Sequence, residues 1–236
     1  MRVRRGRLLL GSSGRAPAAV VLAVCVIVTG VLGLLFRGQT RADGFDNAVD
    51  SPFITFFAGH KHLLLWLALP GTLVPAIVIS VAIAAWCLVA GRLNGAVLAL
   101  AAVPVASGLD DGLLKHVFNR TYLGSLAFPS GHTTSVVALT ATLAVLLFAP
   151  PRQAGTRVAR AALLAICCAT VAVVVVAVIA LRWHYFTDTV AGAAVGVGTV
   201  CALALVLDLA WPQERVRGEE RGAVASAAGN PHGHLP

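Results

Sequence analysis

Six long apolar runs set the frame for this chain: residues 16–36, 63–90, 96–114, 132–148, 161–181, and a last run that follows Asp188 and ends near 211. A helix needs about 20 apolar residues to cross the hydrocarbon core of a bilayer. The expected fold class is therefore all-α, a six-transmembrane-helix bundle. Composition agrees, with 58% hydrophobic and 12% charged residues; a soluble domain carries about a quarter charged residues. There is no internal repeat and no separate soluble domain. Cys25, Cys87, Cys167, Cys168 and Cys201 all lie inside apolar runs. They read as small buried hydrophobes rather than as a disulfide framework or a metal site.

The charges lie mainly between and beyond the runs. The net charge of +8 sits in tails and short loops, a pattern that reports membrane orientation and argues against a nucleic-acid partner. The first run exceeds the core of a cleaved signal peptide, about 7–15 residues, and Arg37-Gly38-Gln39-Thr40-Arg41 offers no small-residue cleavage site. A retained signal anchor is expected. With the N-terminus inside, twelve Lys and Arg fall on the inner side and six on the outer. The expected organisation is a basic cytoplasmic segment over 1–15, a six-span domain over 16–211, and a disordered cytoplasmic tail over 212–236, in a protein of the cell membrane. Residues 42–62 mix Asp46, Asp50 and His60 with Phe45, Phe53, Phe56 and Phe57. They suit either a short amphipathic helix in the outer interface or a plain connecting loop. Pro70, Gly71 and Pro75 are expected to kink the second span.

This topology brings three polar clusters to one membrane face. The first is Phe128-Pro129-Ser130-Gly131-His132-Thr133-Thr134, where a polar loop enters the fourth span. Ser130 is an N-cap type, Gly131 lets an oxyanion approach the backbone, and a helix start offers free N–H groups and a positive dipole end. That is a phosphate cradle with His132 beside it; an ordinary capped helix with a surface histidine fits the same residues. The second cluster is Lys115 with Arg120, fixed positive charge suited to phosphate oxygens, or side chains snorkelling to headgroups. The third is Arg182, His184 and Asp188. If 184–188 is helical, the spacing of four puts the Asp188 carboxylate on the His184 face, where it can accept Nδ1–H and leave Nε2 basic. The same pair can simply stabilise the start of the sixth span. Asp110 and Asp111 either orient Lys115 or, more simply, end the third span. His60, His62 and His116 are expected at the interface, and His232 and His234 have no assigned role.

Lys115…Arg120, Pro129-Ser130-Gly131-His132 and His184-x-x-x-Asp188 together resemble the type 2 phosphatidic acid phosphatase family, within the superfamily that includes vanadium haloperoxidases. The resemblance covers about residues 44–210. It implies a lipid phosphatase with its site at the extracytoplasmic face, and a phosphohistidine formed on His184. Asp188 orients that nucleophile, and His132 protonates the leaving alkoxide. Lys115, Arg120, Ser130 and Gly131 hold the phosphate, without a metal or other cofactor. Two positions depart from the family pattern. Tyr122 and Leu123 stand where a second arginine and a proline are usual, and Ala177 and Val178 stand where Ser-Arg is usual. Arg182 lies one helical turn beyond Val178 if the fifth span stays helical, and is expected to replace the missing arginine. The implied substrates are phosphatidic acid, phosphatidylglycerol phosphate, or a polyprenyl phosphate or diphosphate. Two other functions stay open: a lipid head-group phosphotransferase of the same superfamily, and a non-catalytic six-span protein that binds or transports anionic lipid.

Overall fold

The computed structural model describes residues 8–149 and 156–210. The basic residues Arg2 to Arg7, Arg152 and the expected tail over 212–236 lie outside the described residues. The described residues form nine α-helices: α1 (Gly11–Leu35), α2 (Gly44–Phe56), α3 (Lys61–Ala68), α4 (Leu73–Val89), α5 (Leu93–Leu109), α6 (Lys115–Phe118), α7 (Gly131–Phe148), α8 (Arg157–Ala180) and α9 (Phe186–Ala210). A 3-10 turn, Leu69–Gly71, joins α3 to α4, and a π-helical stretch, Asp110–Leu114, joins α5 to α6. Among the described residues, six helical segments are thus long and apolar enough to cross a membrane, at Gly11–Leu35, Lys61–Val89, Leu93–Phe118, Gly131–Phe148, Arg157–Ala180 and Phe186–Ala210. The protein is a multi-pass membrane bundle, as the apolar runs predict.

Each break has a local cause. At the α3–α4 junction Pro70 cannot donate a helical hydrogen bond. Gly71 packs so tightly there that a Cβ would stand 2.8 Å from the carbonyl oxygen of His132. The break therefore presses the second span against the first turn of α7. Residues 42–62 resolve into α2, begun by Asp43, whose carboxylate accepts the Asp46 N–H at 2.7 Å, which is a standard N-cap contact. The polar loop after α6 contains a hairpin, with Thr121 opposite Leu126 and Tyr122 opposite Ser125. Its two turn residues, Leu123 and Gly124, both have positive φ, the geometry that two-residue hairpins favour.

The interior is built from small residues. Ala99, Ala102, Val103 and Ala106 of α5 are buried against Ala138 and Leu139 of α7 and Val200 and Ala204 of α9. Small side chains let helices approach closely where lipid supplies no hydrophobic drive between them. α9 takes this furthest: a Cβ on Gly192 would lie 2.5 Å from the Ser130 carbonyl oxygen, so the starts of α7 and α9 touch through backbone. Val20, Ile27 and Leu34 of α1, and Val158 and Ile166 of α8, face outward instead, as lipid-facing positions do.

Both ends of the bundle carry polar ties. At one, the buried Asp208 carboxylate accepts the N–H groups of Leu9 at 2.7 Å and Leu10 at 3.0 Å, which joins the start of α1 to the end of α9. At the other, Gly38 donates to the Phe118 carbonyl and Thr121 to the Gln39 carbonyl. That second end gathers all three polar clusters.

Candidate active site

The fourth span starts as the sequence predicts. Ser130 is the N-cap of α7; its buried Oγ faces the Thr133 N–H at 3.5 Å and the Thr133 hydroxyl at 3.2 Å. The Ser130 N–H is committed to the Asp188 carbonyl at 3.0 Å. The helix start therefore leaves the N–H groups of Gly131 and His132 without an intrahelical acceptor. These two residues line a cavity of about 230 Å³, together with Gly71, Thr72, Ser107, Asp111, Lys115 and Ser135. The Lys115 ammonium lies 3.6 Å from where a Gly131 Cβ would stand.

Lys115 is not a snorkelling side chain. Its ammonium is held by Asp111 Oδ1 at 2.6 Å. Neighbouring Asp110 turns inward, fully buried, where the Thr134 hydroxyl donates to it at 2.8 Å. The π-helical stretch, with one more residue per turn than an α-helix, aims the two aspartates differently; such insertions are frequent at functional sites. Asp111 thus orients Lys115 rather than merely ending the third span, and the span itself runs on to Phe118.

His184 approaches His132 from the α8–α9 connection. Its ring centroid is 6.1 Å from that of His132, and the Trp183 ring packs against His132 at 5.2 Å. His184 Nδ1 is 2.8 Å from the Ala127 carbonyl oxygen. A carbonyl only accepts, so Nδ1 carries the proton and Nε2 keeps its lone pair. Burial first, then the positive charge of Lys115 and the neighbouring His132, pushes the imidazole down to about 3, against the bond to Ala127. At neutral pH His184 is a free base.

The structure corrects the expected partner of that imidazole. α9 begins at Phe186, so His184 and Asp188 do not share a helical face. The Asp188 carboxylate reaches back to the Tyr185 N–H at 2.8 Å, as an acidic residue in a capping box does. Its other oxygen takes Arg120 Nη1 at 2.6 Å. The orienting acceptor for His184 is the Ala127 carbonyl.

Arg120 also differs from expectation. It is 0% exposed, enclosed between the rings of Phe36 and Tyr185, each 4.3 Å from its guanidinium carbon. Nη1 donates to the Thr187 hydroxyl at 2.7 Å as well as to Asp188, and Nη2 donates to Asp46 Oδ2 at 2.5 Å. A guanidinium spent on two carboxylates is an internal brace rather than an open fork for phosphate. Sequence reasoning gave Asp46 no place in the site. The one available hint was two aspartates four apart, at 46 and 50, on a helix otherwise rich in phenylalanine.

Arg182 is exposed, at a left-handed φ of 60°. α8 ends at Ala180 and the chain turns away, with Trp183 N–H on the Val178 carbonyl at 3.0 Å. Arg182 therefore does not continue the face of Val178. Its charge falls near the Tyr122 hydroxyl, where it works against the upward push of burial. Arg182 thus lies toward the hairpin that carries Tyr122.

Fold and site together define a six-span membrane protein that sets two histidines, a lysine and a helix N-terminus at one end of its bundle. Residues 104–212 match the family model of the PAP2 superfamily. No curated protein matches the chain in sequence. Among solved structures it is similar to a transmembrane PAP2 type phosphatidylglycerolphosphate phosphatase from Bacillus subtilis. That match has a TM-score of 0.59 and 16% identity, and covers 79% of this chain and 93% of that one. At this identity the likeness concerns the fold.

Proposed function

We propose that the protein is an integral membrane lipid phosphatase that works through a phosphohistidine on His184. The observation that carries this reading is the 6.1 Å separation of the His132 and His184 rings beside the cavity that holds Lys115. The Nε2 lone pair of His184 attacks phosphorus, and a P–N bond forms as the P–O bond to the lipid breaks. Protonated His132 gives its proton to the leaving alkoxide. A water then attacks the phosphohistidine; His132 takes one of its protons, the P–N bond breaks, and phosphate leaves. Lys115 and the N–H groups of Gly131 and His132 stabilise charge on the equatorial oxygens, and Ser130 keeps that helix start in shape. Asp188 acts through Arg120 and the start of α9. Every role here falls to a protein side chain or backbone group, so turnover is expected to persist with chelator present.

The substrate is an amphiphile whose phosphate sits at the border of lipid and water. The similar Bacillus subtilis protein is described as a phosphatidylglycerolphosphate phosphatase, which supports testing that lipid beside phosphatidic acid and polyprenyl phosphates. The twelve-to-six bias of Lys and Arg supports both termini in the cytoplasm and a site opening on the other side of the cell membrane.

The test is phosphate release by purified protein from these lipids with chelator present. Wild type is expected to turn over at least one of them and to trap labelled phosphate, and His184→Ala to do neither. Undiminished release by His184→Ala would refute the nucleophile assignment.

A further inference from the structure

α2 is amphipathic in an unusual sense. Phe45 and Phe56 are exposed, while Asp46 and Asp50 are 0% and 4% exposed. The helix turns its acids inward. They meet the start of α9, about 140 residues later. Asp46 Oδ1 accepts the Thr187 N–H at 3.0 Å, and Oδ2 accepts the Thr187 hydroxyl at 2.8 Å and Arg120 Nη2. Asp50 Oδ1 accepts the Phe186 N–H at 3.2 Å. The first N–H groups of α9, which no residue of that helix can satisfy, are thus capped in trans by carboxylates, whose charge the helix dipole favours.

This arrangement controls both sides of the bond that orients His184. On the donor side, His184 lies two residues before Phe186, so whatever pins the first turn of α9 pins the imidazole. On the acceptor side, Ala127 donates its own N–H to the Arg120 carbonyl at 2.9 Å. Arg120 is in turn fixed by Asp46 and by Asp188. One carboxylate of α2 therefore ties the segment that offers the carbonyl to the start of α9, just after the imidazole.

We propose that Asp46, assisted by Asp50, is a positioning residue for the His184 reaction, and that α2 is a clamp of the active site rather than a membrane-surface anchor. The proposal rests on the phosphatase reading for its kinetic consequence, but not for its structural one. Asp46 lies outside residues 104–212 and does not line the cavity. Its effect on catalysis passes through the Nδ1–H bond to Ala127. Loss of that bond lets the ring turn and its tautomer exchange, which lowers the rate of attack without weakening phosphate binding.

The experiment compares full-length wild type with Asp46→Asn, Arg120→Gln and the double variant, in detergent. Two readouts are taken: kcat and KM on a lipid phosphate, and diethyl pyrocarbonate labelling of each histidine, located by mass spectrometry. Asp46→Asn is expected to lower kcat by about 10²-fold, the effect of a misplacement near 1 Å, with KM held within about twofold. Labelling of His184 is expected to rise severalfold relative to the exposed His60 and His62. The double variant is expected to be no worse than the poorer single, because both substitutions break one unit. Multiplied losses in the double variant, a rise in KM with kcat unchanged, or His184 labelling equal to wild type would overturn the proposal. Should Asp46→Asn fail to fold, Asp50→Ala removes one weaker bond and is expected to shift both readouts the same way by less. Should wild type release no phosphate, the phosphatase reading falls, and the labelling ratio still decides whether α2 holds His184.

Discussion

The pH behaviour of His184 offers a quantitative check on the site. Its imidazole is pushed from 6.5 to about 3. At about 1.4 kcal/mol per pH unit, this corresponds to roughly 5 kcal/mol of preference for the neutral ring. Burial is the largest cause, and Lys115 is the next. The assay is a pH titration of histidine-labelled protein by NMR, following the ring carbon shifts. His184 is expected to stay neutral down to at least pH 4. Lys115→Met removes one cation and is expected to move the His184 midpoint upward, yet not to 6.5, because burial persists. The linkage has a definite sign: a folded value below the unfolded one means that the unfolded chain binds the proton first. The stability contributed by neutral His184 is therefore complete above 6.5 and falls as pH drops from 6.5 toward 3, by about 2 kcal/mol at pH 5. Asp50 opposes this, since burial raises its carboxyl to about 7 and its neutral form favours folding at low pH. The acid sensitivity of wild type must therefore be read against His184→Gln, which keeps the Asp50 effect and removes that of His184. A His184 that titrates near 6.5, or a Lys115→Met protein with an unmoved midpoint, would refute the electrostatic account.

Two further outcomes are expected. Gly192→Ala places a methyl group 2.5 Å from the Ser130 carbonyl oxygen and should cost about 1–3 kcal/mol through overpacking. Thermal unfolding in detergent checks this, and unchanged stability would mean that α7 and α9 can separate without loss. Arg182→Ala should raise KM for a lipid phosphate severalfold with kcat little changed, whereas Arg41→Ala, also exposed, should change neither; equal effects would remove Arg182 from the substrate path.

The six spans were legible because a bilayer imposes a length on apolar runs, and observed ends fall within a few residues of the expected ones except at 11, 118 and 157. The convergence of Lys115, His132 and His184 was legible too, since alternating crossings force 115–131 and 182–188 to one end. What failed was local geometry that depends on distant partners. The spacing of His184 and Asp188 suggested one helical face, but the chain leaves α8 at Ala180 through a left-handed Arg182, with neither glycine nor proline to announce it. Arg120 read as a phosphate ligand because a lone sequence does not reveal that Asp46, 74 positions earlier, reaches it. Asp110 and Asp111 read as a span end because a π-helical turn keeps the chain helical past two acids, which propensity alone does not foresee.

The polar ties at the two rims of the bundle have a mechanical consequence for the wall between them. α1 is anchored at its start to Asp208 of α9, and the chain just beyond its end is fastened to residues 118–121. Between these anchors, α1 and α9 flank an apolar void of about 430 Å³ lined by Leu22, Cys25, Val26, Gly198 and Val206. Held at both ends, α1 can draw back from that gap only by bowing at its middle, so whatever occupies it meets a wall of fixed length.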